Sequence, residues 1–304
     1  MKPFLIVNPA SAGGRTGRHF DEIARAVRGE LGEFEWAFTR APGDGRTLAR
    51  EAVRAGGELV VAVGGDGTAS EVIDGLLSPG GSAASFGFIP RGTGGDLRRS
   101  VGCPSDPAGA ARAIAAGATR VCDLGVVELT RPDGGTEVRH FANVAGFGIS
   151  GRVVSRMGRR AGLLPGRLAF MLASARELAG WRDQPVRWRA DGGPWREDRV
   201  TAFSICNGRY FGGGMMVAPR AELDDGLFDV TIWQGLGLAD FALKRSMLYD
   251  GTHLRLPNTT SLRARTVEAE PLEGAEVLLD VDGEQPGRLP ARFRVLPGAL
   301  RIRA

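Results

Sequence analysis

The chain has 304 residues, 43% hydrophobic and 24% charged, the balance of an ordinary globular protein with room for about two domains. Its formal charge of +4 is small for that length and argues against a nucleic-acid platform. Cys103, Cys122 and Cys206 are scattered without CxxC spacing, and the three histidines stand apart without HExxH, which argues against a disulfide framework and a zinc site.

The opening residues, MKPFLIVNPASAGG, carry an apolar run too short for a signal peptide and predict a first strand over Phe4 to Val7. No run approaches the roughly 18 apolar residues of a membrane span, so a cytoplasmic protein is expected. Phe20, Ile23, Ala24, Val27 and Leu31 fall at helical spacing and predict a helix over 18–31. Strands follow over 34–39, 59–63, 84–89 and 120–124, separated by helices over 46–55, 68–77 and an alanine-rich 106–116. This alternation predicts a wound, mostly parallel sheet.

After Asp123 the texture changes. A hairpin is expected where 126–129 and 138–144 flank a Pro-Asp-Gly-Gly turn. Further strands fit 186–190, 199–207, 227–233, 261–268, 276–281 and 291–295, with helices over 167–180 and 239–248. Such a series predicts a β-rich antiparallel sandwich or barrel-like domain. With no repeat or low-complexity tether, the boundary near residue 124 is a change of architecture.

Ligands of open α/β sheets bind beyond the carboxyl ends of the strands. Three loops rich in glycine and hydroxyl residues lie there: Asn8 to Gly14, Gly64 to Thr68, and Pro90 to Asp96. Glycine lets backbone approach a phosphate closely, and the free N–H groups of a helix start attract anions. Thr68-Ala69-Ser70-Glu71 has the form of a capping box, with Glu71 reaching back toward its own helix start. That reading leaves Gly64, Gly65 and Asp66 unexplained. No GxxxxGK[ST] occurs, and Lys2 and Lys244 lie outside the glycine-rich loops, which excludes a P-loop NTPase. No GxGxxG follows the first strand, which speaks against a dinucleotide Rossmann site. Phosphate here would be held by amides, hydroxyls, arginines and metal.

Asn8-Pro9-Ala10-Ser11, Gly64-Gly65-Asp66-Gly67-Thr68 and Pro90-Arg91-Gly92-Thr93-Gly94 resemble the motifs of the diacylglycerol kinase catalytic family, which includes bacterial lipid kinases and the sphingosine and ceramide kinases. Phe211-Gly212-Gly213-Gly214-Met215, Ala218-Pro219, Asp224 to Val230 and Val281-Asp282-Gly283-Glu284 resemble its later motifs, in order. The resemblance implies an NAD kinase/diacylglycerol kinase-like fold. A nucleotide-binding α/β domain over 1–124 would be joined by a returning segment 291–304, and a β-rich lipid-binding domain would span 125–290, with the active site in the cleft between them. It implies an ATP-dependent kinase that transfers the γ-phosphoryl group to a lipid hydroxyl, of diacylglycerol or of a sphingoid or ceramide-type lipid, in lipid metabolism. Asn8, Ser11, Thr39, Gly64, Gly65, Asp66, Gly67, Thr68, Ser70 and Thr93 would hold ATP. Asp66 would help organise Mg²⁺ and Glu284 would be the general base. Asp225, with the carbonyls of Glu222 and Leu227, would hold a structural Mg²⁺, and Asp123 would join the metal–water network. Two positions depart from the family pattern: Ala12 follows Ser11 where glycine is usual, and Gly95 stands where asparagine precedes Asp96.

The stretch 163–181 places Leu168, Met171, Leu172, Ala175, Leu178 and Ala179 on one helical face, preceded by Arg152, Arg156, Arg159, Arg160 and Arg167. Such a basic amphipathic segment either packs on the sandwich or rests on an anionic bilayer. Peripheral contact with the inner face of the membrane and a homodimer are expected, and no nucleic acid. Two other readings stay open: an NAD kinase, which shares the GGDGT loop, and a non-catalytic nucleotide- or lipid-binding regulator.

Overall fold

Four consecutive apolar residues, Phe4–Val7, form β1 and are almost wholly covered, as befits a strand inside a parallel sheet. The computed structural model describes residues 2–77, 84–92, 94–158 and 166–304, and for residues 158, 166 and 167 the backbone only. The chain divides into two units, Met1–Cys122 with Gly298–Ala304, and Asp123–Pro297.

In the first unit β2 (Glu35–Phe38), β3 (Leu59–Gly64) and β4 (Ser85–Pro90) join β1 in the parallel order β2-β1-β3-β4. The helices are α1 (Arg15–Arg18), α2 (Phe20–Leu31), α3 (Asp44–Arg54), α4 (Asp66–Leu76), α5 (Asp96–Val101) and α6 (Pro107–Ala115). Phe20, Ile23 and Val27 of α2 and Ala110 and Ile114 of α6 pack with Leu5, Val61 and Ile89 of the sheet. α3 and α4 approach closely because Gly75 has no side chain; a Cβ there would lie 2.4 Å from the Arg46 carbonyl oxygen. The predicted helix over 18–31 starts only at Phe20, since His19 leaves helical geometry at φ −111°. The short helix α5 had no periodic signal to announce it.

The second unit contains β5 (Arg120–Thr130, crossing from the first unit), β6 (Thr136–Phe141), β7 (Val144–Gly148), α7 (Ile149–Gly158) and α8 (Gly166–Leu178). It continues with β8 (Gln184–Ala190), β9 (Arg196–Val200), β10 (Ala202–Cys206), β11 (Tyr210–Phe211), β12 (Met215–Met216), β13 (Phe228–Trp233) and α9 (Leu238–Asp250). It ends with β14 (Thr259–Ala264), β15 (Thr266–Pro271), β16 (Leu279–Val281) and β17 (Arg288–Arg303). One antiparallel sheet runs β14-β13-β10-β7-β16. The other runs β17-β15-β8-β9, with β5 on β17 and β6 on β5. Their inner faces share one core, in which Phe147 stacks on Phe203 at 4.5 Å and Phe141 on Phe228 at 5.6 Å. Along β17, Leu289, Ala291, Phe293 and Val295 point inward and the residues between them outward, the two-residue period of a strand with one buried face. Strands expected over 199–207 and 261–268 are each two strands, divided at Thr201 and Arg265, and the one expected over 276–281 is only β16. Residues Arg301–Arg303 of β17 pair in parallel with Ser85–Gly87 of β4, so the last strand completes the first unit's sheet.

Candidate active site

β1, β2, β3 and β4 run parallel, so they deliver Asn8, Thr39, Gly64 and Arg91 to one edge. The Asn8 side chain accepts a hydrogen bond from the Ala10 amide at 3.0 Å and donates to Thr68 Oγ1 at 3.1 Å. Ser11 Oγ donates to the Asn8 carbonyl at 2.9 Å and lies 2.6 Å from the buried Thr16 hydroxyl. The Thr39 amide donates to the Val7 carbonyl at 2.9 Å. Ser70 is buried one turn into α4. Thr93 lies outside the described residues.

The glycines of the GGDGT loop have different reasons. A Cβ on Gly64 would lie 2.4 Å from Thr68 Oγ1, so Gly64 makes room for a side chain. A Cβ on Gly92 would lie 2.5 Å from the Gly65 Cα, so the loops after β3 and β4 touch backbone to backbone. Gly67 faces open space in the first turn of α4. That turn has no side-chain cap, and uncapped helix N-termini favour anions. The capping box expected at Thr68 and Glu71 is not formed. The helix begins earlier, at Asp66, and Glu71 instead accepts the Gly43 and Gly45 amides at 2.8 and 2.9 Å, capping α3.

Asp66 accepts the amides of Gly95, Asp96 and Leu97 at 2.7, 3.1 and 3.2 Å. Three of its roughly four acceptor directions are thereby spent on the start of α5. Gly95, at φ +69°, occupies the left-handed region, which glycine and asparagine both tolerate. The exchange at this position keeps the backbone and removes an amide side chain. Arg91, quoted in the third motif but given no role there, has a buried Nε with no hydrogen-bond partner.

In the second unit Glu284 follows a two-residue hairpin turn, Asp282-Gly283, with φ values of 47° and 86°. Val281 and Glu284 exchange both backbone hydrogen bonds across it, at 2.8 and 2.9 Å. Asp-Gly with positive φ at both positions is the type I′ signature. Two carboxylates brace this turn. Asp282 accepts the amides of Ala142, Asn143 and Val144 at 2.9, 3.1 and 2.9 Å. Asp280 accepts the Gly283 amide at 2.9 Å. Burial pushes the Asp280 carboxyl up to about 7, against the lowering effect of the Gly283 amide and with a further push from the Asp282 charge. The Glu284 carboxylate is ion-paired with Arg139, which also reaches Glu137 at 3.1 Å.

The same segment connects to Asp123. Buried Asn207 donates to the carbonyls of Asp123 and Ala142 at 2.9 and 2.8 Å. Asp123 in turn accepts the Gly226 amide at 2.6 Å. Asp123, the loop carrying Asp225, and the Glu284 turn are thus parts of one hydrogen-bonded network. Arg139, Asn207 and Asp280 were missed in the sequence, because nothing in local spacing announces a partner so far along the chain.

The proposed structural Mg²⁺ set does not fit a bound cation. Asp225 Oδ1 accepts the Leu227 amide at 3.0 Å, and Oδ2 is held by the guanidinium of Arg263. Mg²⁺ at that carboxylate would sit against a fixed positive charge. The expected set rests on the Asp225 carboxylate with the Glu222 and Leu227 carbonyls, and no group of three or more His, Cys, Asp or Glu side chains able to hold a metal occurs among the described residues.

Comparison with known proteins shows the family. Residues 2–127 match the model of the diacylglycerol kinase catalytic domain, and residues 143–304 match that of the YegS C-terminal NAD kinase β-sandwich-like domain. A Mycobacterium tuberculosis protein named diacylglycerol kinase is 33% identical over 260 residues, covering 85% of this chain and 81% of its own. A Pseudomonas aeruginosa protein named "probable lipid kinase YegS-like" is 32% identical over 302 residues, covering 99% and 93%. The crystal structure of a diacylglycerol kinase from Bacillus anthracis superposes with a TM-score of 0.73 at 23% identity, covering 99% and 96% of the two chains. Yeast NADH kinase has the same fold more distantly, with a TM-score of 0.53 at 12% identity. With both of its parts matched in order, the chain belongs to the diacylglycerol kinase catalytic-domain family of lipid kinases.

Proposed function

We propose that the protein is an ATP-dependent lipid kinase whose acceptor is the hydroxyl of diacylglycerol or of a sphingoid or ceramide-type lipid. The observation that carries this reading is the first unit's sheet edge. An uncapped helix start and the unpartnered Nε of Arg91 lie in the two loops that touch at Gly65 and Gly92. Amide donors and a guanidinium are the groups a polyphosphate satisfies.

In this reading α4 and Arg91 orient the phosphates. Asn8 and Thr68 fix each other, and Asp66 holds α5 beside them. Glu284 accepts the proton of the lipid hydroxyl as its oxygen bonds to the γ-phosphorus, and the bond to the β–γ bridging oxygen breaks to release ADP. Arg139 keeps the Glu284 carboxylate in one orientation. Mg²⁺ would enter with the nucleotide and supply charge neutralisation on the phosphates. Leu168 and Leu172 of α8, 42% and 53% exposed, give an apolar face for a membrane surface, where the acceptor lives. Arg159 and Arg160, expected to flank it, lie outside the described residues. Among the described residues no helix is long and apolar enough to cross a membrane.

The test is incubation with γ-labelled ATP, Mg²⁺ and a panel of diacylglycerol, sphingoid bases, ceramide and NAD. Label in a lipid is expected. Label in NAD alone, or in nothing beside an active control enzyme, defeats the proposal. Glu284→Gln is expected to lower kcat at least 100-fold while ATP affinity is kept, the range of general-base contributions. Retained turnover removes Glu284 as the base.

A further inference from the structure

We propose that Arg263 takes the place of a bound cation in the second unit, closing the 222–227 loop with a charge the chain itself carries. The loop gathers Glu222, Asp224, Asp225 and, at the start of β13, Asp229. Such a cluster of carboxylates before a strand needs positive charge to hold its shape. β14 supplies it. In the β13–β14 register Arg263 stands directly opposite Asp229, an opposite-charge cross-strand pair. From there its side chain reaches two carboxylates: Nε lies 3.5 Å from Asp229 Oδ2, and the terminal nitrogen holds Asp225 Oδ2.

Arginine suits this task because its donors form a rigid planar fork that can address two acceptors at once. The cation-like role is visible in what the loop then does. With Oδ2 fixed by Arg263, Asp225 Oδ1 accepts the Leu227 amide, and Asp123 accepts the Gly226 amide. The loop is closed by three interactions, and a divalent ion at Asp225 would sit beside the fixed charge of the guanidinium. Arg220 donates to Ser261 at 3.1 Å, and Arg209 to the Ala221 carbonyl at 2.8 Å. Both add positive charge near the Asp229 carboxylate.

The experiment is thermal unfolding of nucleotide-free protein in EDTA and in millimolar Mg²⁺, for the wild type, Arg263→Gln and Arg263→Lys. The wild type should unfold at one Tm in both buffers. Arg263→Gln should unfold several degrees lower in EDTA and regain the difference in Mg²⁺, because a ligand that binds only the folded state raises Tm. Arg263→Lys, with the charge but not the fork, should fall between them and respond little to Mg²⁺. A wild-type Tm that rises with Mg²⁺ overturns the proposal, as does Arg263→Gln at the wild-type Tm or a loss that Mg²⁺ does not restore. If Arg263→Gln fails to fold, the wild-type and lysine arms decide alone. No lipid or nucleotide enters the measurement, so failure of the kinase assay and failure of this inference are read separately.

Discussion

Ala12 is a residue held in an unfavourable place. Its φ of 53° lies in the left-handed region, where an L side chain costs about 1–2 kcal/mol and glycine none. Gly13 and Gly14 follow it at φ 67° and 80°, so the turn after β1 is left-handed for three residues and only one carries a Cβ. Ala12→Gly should raise stability by about 1 kcal/mol, seen as a higher urea midpoint at unchanged slope. An unchanged or lower midpoint shows that the alanine is not strained. The departure from the family pattern at this position thus bears on stability, whereas the one at Gly95 leaves the backbone as it was.

Among the elements, α4 explains most of the GGDGT stretch, and its glycines separate structural from functional need. Gly92→Ala forces the β3 and β4 loops apart, since the new Cβ would meet the Gly65 backbone. It should cost about 1–3 kcal/mol of stability and weaken ATP binding together. Gly67→Ala adds a methyl in open space on a helix, so stability should hold or rise by up to about 1 kcal/mol. ATP affinity should nevertheless fall at least tenfold if phosphate approaches that amide, which calorimetry measures. Equal ATP affinity in Gly67→Ala and wild type removes the α4 start as the phosphate site. These elements were legible because β1, β3 and β4 are short apolar runs ended by Asn-Pro, glycine and Pro-Arg-Gly, and α2 carries an apolar stripe. Asp282-Gly283 announces its own turn. What stayed hidden depends on partners remote in the chain. Glu71 caps α3 instead of its own helix, Asp66 holds the start of α5, and Arg139 and Arg263 find their carboxylates far along the chain, where no local pattern records a partner.

At the scale of the whole molecule, one buried carboxyl shapes how stability responds to pH. Burial holds the Asp280 carboxyl up at about 7 in the folded protein, against its ordinary 3.8 when unfolded. Between those values the native state holds a proton that the unfolded chain has lost. Its contribution to stability is therefore present below about pH 4 and is lost as pH rises through 7. Asp280→Asn keeps an acceptor for the Gly283 amide without the charge. It should match the wild type near pH 4 and exceed it at pH 8 by an amount on the order of a few kcal/mol. Denaturant midpoints across that range check it, and a gap independent of pH rules out Asp280 as the source.

β17 leaves the second unit at Pro297 and ends beside β4 of the first. On the ribosome this makes the first unit the last to be finished. Residues 1–122 emerge early with the outer side of β4 still open, and the strand that closes it is translated only after the entire second unit. Until then Phe86 and its neighbours on β4 form a bare sheet edge, a surface for chaperones to guard or for other nascent chains to join. A chain interrupted before Gly298 would keep the second unit's core residues through Val295 yet leave β4 without its partner strand β17.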